Sequence, residues 1–188
     1  MAAIQLYLPT ISLLVTALLA FTGWLVTYWN ARELARRKER LDLSNKRLNE
    51  FYGPLYVATS AGAIAYRALL NKLGHTDDIF GKGKQPTEQE MIEWFAWMKH
   101  VFMPLNEICE KVIIHNAYLV REQEMPECLL AFVTHVVGYR AVLAKWEKGD
   151  LSEPYSLTAF PARLDQYAAH SYAQLKTDQA ELIGLTQK

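Results

Sequence analysis

The hydrophobic pattern opens with a run unlike the rest of the chain. From Ile11 to Val26 (ISLLVTALLAFTGWLV) every side chain is apolar, hydroxylated or glycine, and no charge appears before Arg32. About 20 such residues, rising 1.5 Å each, cover the roughly 30 Å hydrocarbon core of a bilayer. Tyr7 at one end and Trp24, Tyr28 and Trp29 at the other suit the two interfaces, where amphipathic rings settle. A secretory signal peptide fits poorly, because no basic residue precedes the run, the run is long for such a segment, and no small-x-small cleavage site follows it. A core helix of a soluble protein is the remaining alternative. The pattern predicts a membrane-spanning helix within residues 1–31.

Behind it, residues 32–52 combine good helix formers with no proline or glycine, so the helix is expected to continue as a basic juxtamembrane stem until Gly53-Pro54 stops it. Tyr56, Thr59, Ala63, Tyr66, Leu70 and Leu73 then alternate spacings of three and four, the mark of a helix with one face on a core. Gly74 closes that helix, and His75 to Pro86 (HTDDIFGKGKQP) reads as an exposed loop. Thr87 with Glu90 predicts a capping box, opening a helix whose apolar face runs through Met91, Phe95, Met98, Phe102, Leu105, Ile108 and Val112. Pro104 should kink or split it. After Pro126, a stripe of Leu130, Val133, Val137, Ala141 and Ala144 predicts a further core helix ending near Gly149, and a last helix is expected after Pro161. No segment alternates with period two long enough to demand a sheet. The expected fold is all-α: an N-terminal transmembrane helix, then a cytoplasmic bundle of four or five helices over residues 53–188.

Charge gives this plan an orientation. The totals of 20 basic and 20 acidic residues are uninformative until divided; Arg32 to Arg47 holds seven basic and three acidic residues, leaving 13 and 17 elsewhere. Positive residues stay on the cytoplasmic side, so the N-terminus is expected outside and the domain inside. Arg32, Arg36, Arg37, Lys38 and Arg40 are then placed to meet anionic lipid headgroups. The mildly acidic remainder argues against a broad phosphate-tracking surface. Within the apolar run, Ser12, Thr16, Ala20, Gly23 and Thr27 fall at spacings of four, four, three and four, a stripe of small and hydroxylated residues suited to packing helix on helix. Self-association in the membrane is the expectation.

Candidate chemistry is sparse. Cys109 and Cys128 lie in helical patterns and are expected to be reduced thiols. The five histidines form no His-x-x-x-His pair and stand beside no zinc spacing, so neither metal nor cofactor is expected. Phosphate-binding loops, nucleophile elbows and dinucleotide fingerprints are missing from the sequence. Trp94, Trp97 and Trp146 read as core aromatics rather than a base-stacking surface. One pair remains. Arg163 and His170, in ARLDQYAAH, are seven apart and share a helix face, with Tyr167 between them.

That spacing resembles the Arg-x(4 to 6)-His motif of HEPN ribonucleases, although a leucine follows the arginine where those enzymes usually carry a polar residue. The resemblance implies a helical dimer that brings two pairs together on RNA, arginine stabilising phosphate charge and histidine moving the proton of the attacking 2'-hydroxyl. The order of parts, an uncharged spanning helix, a basic stem, RLNEFYGPLY and a small helical body, resembles bacterial single-pass phage-defence proteins, among them the small membrane protein of type VI-B CRISPR systems. That likeness implies a divergent HEPN-like domain and assembly into a pore. The expected function is an oligomeric inner-membrane effector that perturbs the membrane in phage defence, not an enzyme. Its partners would be lipids, further copies of the chain and a protein of the defence system. The alternatives are a membrane-tethered HEPN-type ribonuclease, for which RNA is the partner, and a membrane-anchored interaction module.

Overall fold

The computed structural model describes residues 2–80 and 86–184, with side chains described from Ile11 onward; Tyr7's ring and residues 81–85 of the expected loop lie outside the described residues. The described chain is mostly helical and has no strand. It divides into two compact units, Met1–Leu43 and Ser44–Lys188. Helix α1 runs Ala2–Arg47, α2 Gly53–Leu73, α3 Glu88–Trp97, α4 Met103–His115, α5 Glu127–Trp146 and α6 Leu164–Ile183. The last turns read as stem belong to the second unit, because Leu48, Phe51 and Tyr52 are buried in its core.

Gly53-Pro54 does not stop the helix. Residues Leu48–Tyr52 form a π-turn, in which the Gly53 N–H donates to the Leu48 carbonyl five residues back. Proline lacks an N–H and crowds the carbonyl four residues before it, so one inserted residue lets the helix pass without the clash. A Cβ on Gly53 would stand 2.4 Å from the Leu48 oxygen, which explains a glycine in this setting. Pro104 is met in the same way. Met98–Phe102 forms a π-turn in which the Met103 N–H donates to the Met98 carbonyl, so the helix continues directly into α4. The inserted residue also shifts the phase of everything after it. Uninterrupted α-periodicity predicts Leu105, Ile108 and Val112 as the core face; the structure buries Cys109 and Ile113, each one position later, and leaves Ile108 exposed.

Helix α2 packs mainly on α4 and α6, with Leu55, Ala58, Thr59, Leu69 and Leu70 as its buried face. It ends as expected at Gly74, whose φ of +75° is open to glycine without steric cost. The segment after it is not simply exposed. Ile79 is fully buried, and Phe80 meets the rings of Trp94 and Tyr155 edge-on at 5.1 and 5.3 Å. The capping box at Thr87 and Glu90 is present, with the Thr87 N–H donating to Glu90 Oε2 at 2.6 Å and the Glu90 N–H to Thr87 Oγ1 at 3.3 Å.

Helix α5 corrects the sequence reading most sharply. The stripe expected to face the core, Leu130, Val137, Ala141 and Ala144, is exposed, and only Val133 reaches the core edge. The buried face is Leu129, Phe132, His135, Val136, Tyr139 and Val142. This helix has two apolar faces, so periodicity alone does not choose between them; the one carrying two large rings removes more area from water and wins. The tryptophans lie where expected, in or against the core. Trp94 Nε1 donates to the Pro154 carbonyl at 2.9 Å and Trp146 Nε1 to the Glu153 carbonyl at 2.8 Å, so both also pin the segment between α5 and α6.

Candidate functional site

Two surfaces carry the residues singled out by sequence, and each is built from one helix. On α1, the described side chains from Ile11 to Leu34 are exposed apart from Leu25, which is partly covered. Leu13 and Leu14 are 71% and 68% exposed, and the most apolar stretch of α1 is nowhere buried within the chain. By length and composition α1 suffices to cross a membrane; α5 also passes that test, but one of its faces is committed to the core. Phe21, Trp24 and Tyr28 stack along α1 with ring centroids 6.0 and 5.6 Å apart, gathering aromatic surface near its charged end.

Within the small-residue stripe, Ser12, Thr16 and Ala20 border a shallow groove completed by Leu13 and Ala17. Thr16 Oγ1 donates to the Ser12 carbonyl and Thr27 Oγ1 to the Gly23 carbonyl, each at 2.9 Å. These hydroxyl protons are satisfied inside the helix, leaving only oxygen lone pairs for a neighbour. Packing by shape therefore matters more along this stripe than hydrogen bonding across it. Arg32, Arg36, Arg37, Lys38 and Arg40 are all exposed, and Arg32, Arg36 and Arg40 recur every four residues on one side of α1.

The second surface is on α6. Arg163 occupies the position before the first helical residue, and His170 lies two turns on; both are exposed. Seven residues separate their Cα atoms by about 10 Å along the axis. Helical side chains lean the same way, toward the N-terminus, so the pair does not converge on one atom within a single chain. Tyr167 fills the ground between them. Its hydroxyl donates to Glu122 Oε2 at 3.1 Å and stands 3.3 Å from the Tyr52 hydroxyl, which in turn receives the Arg121 N–H at 3.0 Å. Because the Tyr167 proton goes to Glu122, the Tyr52 proton must point to Tyr167. Burial pushes both phenols up, so Tyr167 is a positioned donor and not an acid near neutral pH.

Around this cluster, the Asp165 carboxyl is pushed up by burial, and its Oδ1 has no hydrogen-bond partner. Burial also raises the Cys128 thiol, with backbone N–H groups at the start of α5 drawing it partly back. Cys109 is pushed up to about 12 by burial, so both free thiols are poor nucleophiles. Tyr52 belongs to the RLNEFYGPLY stretch, yet its link to α6 spans 115 residues and leaves no periodic trace in the sequence.

Three of the four other histidines have separate duties. His75 Nε2 meets Glu90 Oε1 at 2.6 Å, His115 Nδ1 donates to the Lys111 carbonyl at 2.9 Å, and buried His135 donates from Nδ1 to the Thr158 carbonyl at 2.6 Å. Among the described residues no group of three His, Cys, Asp or Glu side chains is gathered to hold a metal ion. Comparisons with known protein families, curated proteins and solved structures return no match.

Proposed function

We propose that this chain is a single-pass protein of the bacterial inner membrane, with its N-terminus outside and residues 53–188 as a helical bundle in the cytoplasm. In this reading it acts as an oligomeric effector that perturbs the membrane, as a pore, in phage defence. The bare apolar surface of α1 carries the reading. Each leucine left in water forfeits about 1.5–3 kcal/mol of transfer free energy, and Leu13, Leu14, Leu18 and Leu19 all lie exposed on a helix with no charge before Arg32. Lipid tails and further copies of α1 remove that cost together. The basic residues from Arg32 to Arg40 favour a cytoplasmic location for the bundle and contact with anionic headgroups. The defence role rests on the resemblance in the order of parts.

One observation favours the ribonuclease alternative: Arg163 and His170 are both exposed on one face of α6, open to a second chain and to RNA. Substituting both residues separates the readings. The effector predicts that R163A/H170A still depolarises the membrane in cells, while the ribonuclease predicts loss of RNA cleavage by the purified protein. The mass of the detergent-solubilised protein tests assembly directly, since a monomer rules out a pore. A membrane-anchored module that recruits a partner would show neither depolarisation nor cleavage.

A further inference from the structure

The exposed face of α5 has the pattern of a helix seam without its partner. Leu130, Thr134, Val137, Ala141 and Ala144 follow one another at spacings of four, three, four and three, all exposed and none charged; Leu130 and Val137 are 55% and 53% exposed. The same spacing reaches one charge at each end, Glu127 three residues before, in the first turn of α5, and Lys148 four residues after, in the turn that follows the helix. Both are exposed and, among the described residues, neither has an ion-pair partner in its own chain. The charges at the sides are occupied: Arg140 is held by a bidentate bond to buried Glu110, and Lys145 by Glu153 at 2.6 Å.

We infer that this face of α5 binds the same face of a second copy of the chain, antiparallel about a twofold axis at Val137. One register satisfies every position. Val137 meets Val137 of the second copy, Thr134 meets Ala141, Leu130 meets Ala144, and Glu127 meets Lys148. Larger side chains fall opposite smaller ones, as interdigitating helices require, and alternating three and four is the spacing of knobs-into-holes packing at a shallow crossing angle. A parallel pairing would set Glu127 on Glu127 and Lys148 on Lys148. Charge therefore selects the antiparallel arrangement, and the twofold makes each ion pair count twice. The inference deepens the oligomeric reading and rests on it, but uses none of the surface of α1.

The test uses the full chain in native membranes and in detergent. In a Cys128→Ser background, V137C lies on the axis and is expected to form a disulfide-linked dimer when isolated membranes are treated with copper-phenanthroline and dissolved oxygen as oxidant, while Q166C, exposed on α6, stays monomeric. E127K or K148E alone is expected to weaken the dimer about tenfold, through repulsion at two symmetric sites, and E127K/K148E to restore it. A protein that is oligomeric by mass but gives no V137C dimer, or in which the double swap fails to rescue, overturns the α5 interface and leaves the oligomeric reading standing. A native chain that is monomeric by mass overturns both. Blue-shifted fluorescence of V137W on vesicles, with no cross-linking at 137, assigns the face to lipid and overturns the interface.

Discussion

At the scale of the residue, the most consequential polar contact in the core is Glu110 with Arg140. The Glu110 side chain is only 7% exposed, and its carboxylate is neutralised by a two-point guanidinium bond. Removing the arginine strands a buried charge, and R140A is expected to cost about 2–3 kcal/mol, lowering Tm by roughly 4–12 °C in a thermal melt. E110L/R140L, which removes both charges, should recover much of that loss. His135 sets a pH dependence. Burial lowers its pKa from the ordinary 6.5, so the unfolded chain binds a proton that the folded chain resists. Stability is then full above about pH 6.5 and falls as the pH drops below it; Tm should decline from pH 7 to pH 5.5, with a flatter slope in H135Q. Glu90, held down to about 2 chiefly by its bond from the Thr87 N–H, contributes above 4.5 and loses that contribution only at lower pH. The two windows are distinct.

At the scale of the element, small positions decide how segments meet. A Cβ on Gly138 would stand 2.4 Å from the Ser156 hydroxyl and 3.2 Å from that of Thr158, so the segment between α5 and α6 lies directly on α5 at this point. That contact supports the bond from His135 to the Thr158 carbonyl, two residues past Ser156. G138A is expected to lift the segment and speed its cleavage by protease near Leu157, which is 96% exposed. S156A removes the nearest obstacle, so G138A/S156A should regain most of the protection. The two π-turns make the complementary point. Each precedes an X-Pro step, each adds a residue, and the second moves the buried face of α4 by one position.

At the scale of the whole molecule, the contrast between the two units is one of covering. From Ser44 onward, large side chains such as Tyr52, Phe51, Phe132 and Leu164 are sealed in a common core, whereas the described side chains of Met1–Leu43 are exposed almost throughout. An unaided helix of that composition is stable in lipid, where its backbone hydrogen bonds are satisfied internally and its leucines are solvated by acyl chains. The protein is expected to stay with membranes through carbonate extraction. A fluorescent protein fused to the C-terminus should fold in the cytoplasm. Replacing Arg36, Arg37, Lys38 and Arg40 by glutamine should give mixed orientation, read as a fall in fluorescence and labelling of the C-terminus from outside.

What the sequence determined by itself was local in origin. Consecutive apolar residues suffice to identify α1, a threonine three residues before a glutamate suffices for the cap of α3, and Gly74 suffices to end α2, because each depends on neighbours within a turn or two. Arg163 and His170 were legible as a shared face for the same reason, though the Tyr52, Tyr167 and Glu122 cluster beside them was not. Tertiary structure decided the rest where local rules allowed two answers. The chain around Pro54 and Pro104 can break or add a residue, and the core on either side favours the added residue because it keeps Phe51, Tyr52, Phe102 and Met103 buried. Helix α5 offers two apolar faces, and only packing against its neighbours assigns Phe132 and Tyr139 to the interior and leaves Leu130 and Val137 outside. Periodicity fixes the direction of a side chain relative to its own helix; which direction is inward depends on contacts distant in sequence.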